Sequence, residues 1–76
     1  MPRLPRVSGE QVIRALEKIG FEQVRQRGSH VVLRRTTPSG DVGCVVPLHR
    51  DLAIGTLAGI LKQAGISAQE FTDALR

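Results

Sequence analysis

Two turn signals cut the middle of the chain into runs too short for ordinary helices. Gly28-Ser29 is the first, and Thr36-Thr37-Pro38-Ser39-Gly40-Asp41 has the composition of a second. Between and around them lie three strand-length segments, Phe21 to Arg27, His30 to Arg35 and Val42 to Val46. Pro47 closes the last, because proline has no N–H to give a ladder. A connection as short as Gly28-Ser29 makes a hairpin of the first two strands. A three-stranded antiparallel meander follows.

The flanks read as helices. Ser8 with Gln11 three residues later forms a capping box, and Val7 is placed to staple onto Val12. Val12, Ile13, Leu16 and Ile19 recur at helical spacing, Glu10 and Lys18 suit the two ends of the helix dipole, and Gly20 is a left-handed stop with Phe21 closing back on Leu16. A second helix begins between Asp51 and Ala53, carrying Leu52, Ile54, Leu57, Ile60 and Leu61. Gly55 and Gly59 inside it each cost about 1 kcal/mol relative to alanine. Four apart, they share a face, which points to close packing against the sheet. Gly65 stops this helix. Ser67 and Glu70 open a short third one, with Ile66 set against Phe71. The expected fold is α+β, an α-β-β-β-α order with a short extra C-terminal helix. The helices cover one face of the three-stranded antiparallel sheet and leave the other open. All 76 residues form one domain, with residues 1–6 flexible.

Charge is segregated. Between Arg25 and Arg50 there are five arginines (25, 27, 34, 35 and 50) and one acid, Asp41, so this segment carries +5 − 1 = +4, the whole net charge of the chain. That is the footprint of a surface facing an anion. It is built from arginine, which forks onto phosphate in a way that lysine does not. A solvated strand face is the plainer alternative. No apolar run approaches the roughly 20 residues of a membrane-spanning helix, and the basic start is not followed by the apolar stretch of a signal peptide. A single cysteine, Cys44, makes no internal disulfide and fits a reducing, cytoplasmic setting.

The titratable candidates are His30 and His49. Histidine is the residue type that exchanges protons near neutrality, and His30 sits two residues after a glycine inside the arginine cluster. His49, at the step from strand three into helix two, has the weaker case. His30, Cys44 and His49 match no familiar zinc spacing, and Gly28 opens no nucleotide-binding motif. No metal or cofactor is expected. Ser29 lacks an acid to orient His30 as its base, which argues against a serine nucleophile. RNA, by contrast, carries its own nucleophile in the 2′-hydroxyl, so a histidine base and arginines to hold phosphate make a sufficient kit. Phe21 and Phe71, the only aromatics, occupy helix-packing positions, so recognition runs through backbone and charge rather than stacking. Val31, Val32 and Leu33 are consecutive apolar residues, so alternation leaves open which sheet face His30 takes.

From Ser8 to Phe71 the chain resembles the HicA-type toxins of bacterial and archaeal toxin–antitoxin pairs. The resemblance rests on Gly28-Ser29-His30 after a first helix and strand, Val46-Pro47 with His49 after strand three, and Gly55-Thr56-Leu57 continuing through Ile60-Leu61-Lys62-Gln63-Ala64-Gly65-Ile66. It implies a double-stranded-RNA-binding-like fold, a ribosome-independent mRNA interferase, and a HicB-type antitoxin that covers the active site. By position it implies His30 as the catalytic residue, with Gly28 and Ser29 shaping its turn. Many members carry a second histidine where this chain has Val31. The expected function is an endoribonuclease toxin acting on mRNA, with His30 as general base. Arg25, Arg27, Gly28, Ser29, Arg34, Arg35, His49 and Arg50 are the candidate substrate-binding residues. The alternatives are a non-catalytic RNA-binding module of the same fold and a protein-interaction domain.

Overall fold

A computed structural model describes residues 3–76. The order is α1 (Gly9–Ile19), β1 (Glu22–Arg27), β2 (His30–Thr37), β3 (Gly40–Pro47), α2 (Ile54–Ala64) and α3 (Ala68–Ala74). The strands form one antiparallel sheet in the order β1-β2-β3. This is the α+β arrangement expected, with the extra helix at the C-terminus.

The helix ends follow from the residues that flank them. Ser8 Oγ accepts from the Gln11 N–H at 3.2 Å while Gln11 Oε1 accepts from the Ser8 N–H at 2.9 Å. Ser67 and Glu70 repeat the arrangement at α3. Such caps are worth about 1 kcal/mol each. Gly20 leaves α1 with φ 116°, and the Phe21 N–H donates to the Leu16 carbonyl at 3.0 Å.

Val12, Leu16, Val31, Leu33, Val46, Leu57 and Phe71 form the centre of a single core between sheet and helices. Leu4 packs against it, and Arg6 makes two hydrogen bonds to the Asp51 carboxylate, at 3.1 and 2.8 Å. The flexibility expected of residues 1–6 falls outside the described residues at positions 1 and 2. The turn between β2 and β3 is tighter than its six-residue signal: pairing runs to Thr37 and Gly40, leaving Pro38-Ser39 as the loop, and Thr37 Oγ1 donates to the Gly40 carbonyl at 2.6 Å.

The glycines of α2 differ from expectation. Gly55 and Gly59 are exposed, and a methyl built on either meets nothing within 4 Å. Leu57, Ile60, Leu61 and Ala64 take the buried face instead. The close approach belongs to Gly9, where an added methyl would run into the Pro47 carbonyl oxygen. There the Gly9 N–H donates to the His49 carbonyl at 2.9 Å, pressing the start of α1 onto the loop that follows β3.

Candidate nucleic-acid interface

The alternation of β2 decides the face of His30. Val31 and Leu33 are buried beneath the helices, so His30, Val32, Arg34 and Thr36 project from the opposite side. His30 therefore stands on the open face. Val31 is 2% exposed and points into the core, so a side chain at that position does not share the surface of its neighbour.

A β-bulge delivers the arginines to the same face. The pairs Glu22↔Arg34 and Gln23↔Leu33 begin one register, and Arg25↔Val32, Gln26↔Val31 and Arg27↔His30 continue in another, with Val24 as the extra residue. Had the first register continued, Arg25 would oppose Val31 and face the helices. One inserted residue reverses that and turns Arg25 and Arg27 outward, since a single-residue slip exchanges the two faces of a strand. Val24 itself is left 51% exposed.

The open face is thus a ladder of rows about 7 Å apart, two residues of strand rise each. Arg27 and His30 form the first row, with Pro47 beside His30 on β3. Arg25, Val32 and Val45 form the next, and Glu22, Arg34 and Gly43 the third. The two acids of this face, Glu22 and Asp41, lie in the third row and beyond it, away from His30. No aromatic stands here: Phe21 and Phe71 are both buried.

Arg35 does not join this group. It alternates onto the helix side, where its guanidinium carbon lies 5.0 Å from the centre of the Phe21 ring and Nη1 donates to the Ile19 carbonyl at 3.3 Å. Its Nε is buried without a hydrogen-bond partner. Arg35 closes the C-terminal end of α1.

Gly28 and Ser29 form the two-residue loop between β1 and β2. Gly28 has φ 55° and no non-glycine residue among those described, Ser29 included, has positive φ, the pattern of a type II′ turn with its obligatory glycine in first place. The loop is tied down on both sides. Gln26 Nε2 donates to the Gly28 carbonyl at 3.0 Å, and the Leu48 N–H donates to the Ser29 carbonyl at 2.6 Å. The second bond extends the β2–β3 ladder past Pro47, and so brings the exposed pair His49 and Arg50 into the chain segment beside the turn. Cys44 is buried beneath the sheet, and burial pushes its thiol up to about 11. Among the described residues no three His, Cys, Asp or Glu side chains gather as a metal site would need, and no helix is long and apolar enough to cross a membrane.

Sequence reasoning missed two contributors, Val24 and Gln26. A bulge has no strong signature in a strand as polar as β1. The partner of Gln26 is a backbone atom of the turn, visible only once the register is known.

A family model described as the HicA toxin of bacterial toxin–antitoxin pairs matches residues 9–66. That span holds α1, the whole sheet and α2, and the chain belongs to this family. Its toxins generally cleave RNA, and membership implies an antitoxin partner. No curated protein matches the chain as a relative.

Proposed function

We propose that the protein is a ribosome-independent mRNA interferase, working in the cytoplasm with His30 as its catalytic residue. The observation that carries this reading is the first row of the open face, where His30 stands opposite Arg27 and one row from Arg25, with no acid in either row. His30 takes the proton of a 2′-hydroxyl, and the freed oxygen attacks the adjacent phosphorus. The P–O5′ bond breaks, leaving a 2′,3′-cyclic phosphate on one fragment and, after protonation from solvent, a 5′-hydroxyl on the other. Arg25, Arg27 and Arg34 hold the phosphate and offset the charge that develops on it. Arg50 and His49 extend the grip from the neighbouring loop. Without aromatic stacking, this face reads backbone more than base. A HicB-type antitoxin silences the toxin by covering the same face.

The decisive experiment compares RNA cleavage by the wild type and by His30→Ala. The variant stays folded and loses cleavage, because His30 is exposed and packs in no core. A substrate with 2′-deoxyribose throughout resists the wild type. Undiminished cutting by His30→Ala would sink the assignment.

A further inference from the structure

We propose that the backbone N–H of Ser29 is a phosphate donor of this site, and that Gln26 is the residue that aims it. The inference rests on the proposed role of the open face and adds to it a group that is not a side chain.

The argument starts from the Gly28–Ser29 peptide. Its carbonyl accepts from Gln26 Nε2 at 3.0 Å. Gln26 pairs with Val31 and so lies on the helix side of the hairpin. The carbonyl of this peptide is therefore drawn toward the helix side. A trans peptide is planar, with its N–H opposed to its C=O, and among the described residues there are no cis bonds. The Ser29 N–H consequently points to the other side, the side of Arg27 and His30. It belongs to neither strand ladder and has no hydrogen-bond partner among the described residues. In a type II′ turn this orientation is built in, and Gln26 fixes it from below.

A free N–H beside a proton-transferring histidine is the arrangement used to hold developing negative charge on oxygen. Guanidiniums on long side chains steer and neutralise the phosphate, whereas a backbone donor in a tied turn is already oriented. Gln26 is a positioning residue: it touches the turn and not the substrate. The ligand chemistry is a non-bridging phosphate oxygen of RNA. The bulge serves both functions at once, because the slip that turns Arg25 and Arg27 outward is the slip that turns Gln26 inward.

Ser29→Pro removes this N–H and suits the negative φ of the position, while Ser29→Ala removes only the hydroxyl. Loss of one such donor from an enclosed site lowers kcat by about 10²–10³, and on an open turn we expect about tenfold or more for Ser29→Pro measured against Ser29→Ala. Equal rates in two folded variants would overturn the proposal. A second measurement needs neither variant. Titrating the wild type with an all-2′-deoxy tetranucleotide, which binds without being cut, moves the Ser29 amide proton downfield. In Gln26→Leu that movement shrinks. A Ser29 amide that stays still while those of Arg27 and His30 respond refutes the inference. Because this readout involves no chemistry, it stands or falls separately from the catalytic role of His30.

Discussion

Replacing Gly9 by alanine places a methyl group against backbone that has no side chain to swing aside. The new carbon would overlap the Pro47 carbonyl oxygen and lie 3.0 Å from Leu48 Cα. Relief requires α1 to lift from the loop, which loosens the Gly9–His49 hydrogen bond of 2.9 Å. Overpacking costs about 1–3 kcal/mol and a backbone hydrogen bond about 1 kcal/mol. Alanine recovers up to about 1 kcal/mol of helix propensity, so the net loss is about 2 kcal/mol. A domain of this length has about 4–11 kcal/mol in total. At about 4–8 °C per kcal/mol for such a domain, the thermal midpoint falls by about 8–16 °C. The same substitution at Gly59, with open space around it, raises the midpoint by about 4–8 °C, since only the propensity term remains. Circular-dichroism melts of the two variants beside the wild type make the comparison. A Gly9→Ala protein as stable as the wild type, or two shifts of the same sign, would refute the reasoning.

Two further substitutions separate binding from scaffolding. Arg34→Ala reduces the slope of log affinity for RNA against log salt by about 0.7–0.9. Arg35→Ala leaves that slope closer to the wild-type value and lowers the melting temperature instead, because it strips the cover from Phe21 and the donor from Ile19. Asp51 supplies a pH test. The hydrogen bond from Arg6 holds its carboxyl below the usual carboxylate value, so the folded state binds that proton less readily than the unfolded chain. The stability it confers is present above the unfolded value near 4 and is lost as pH falls through the lower folded one. Melts of Asp51→Asn from pH 6 down to pH 2 should show a shallower decline than the wild type; an identical decline rules out the linkage.

Much of the architecture was written locally. Ser8 and Gln11, Ser67 and Glu70, and the stops at Gly20 and Gly65 each act within a few residues, and all four are where their chemistry requires. What escaped was decided by partners far away in sequence. Gly9 looks like an ordinary first helical residue until Pro47 arrives beneath it, whereas the conspicuous pair Gly55 and Gly59 faces solvent. The basic segment was legible as a whole but not in its division. Arg34 and Arg35 are neighbours in the chain and lie on opposite sides of the sheet, and the run Val31-Val32-Leu33 before them hides the alternation that says which is which. Val24 decides where Arg25 and Arg27 point, and nothing in its own type marks it as an inserted residue.

Every residue of β1 is exposed, and its one ladder is with β2. Beneath it no core side chain belongs to the strand itself, so little holds it except hydrogen bonds that water can replace. The histidine hangs from a different support: β2 is paired along its whole length with β3, and the Ser29–Leu48 bond continues that pairing beyond the strand. If the margin of the sheet frays, Arg25 and Arg27 leave with it while His30 stays where it was. Two of the arginines proposed to hold phosphate and the histidine proposed to move the proton therefore sit on opposite banks of a mechanical divide, with Arg34 on the firmer bank beside the histidine.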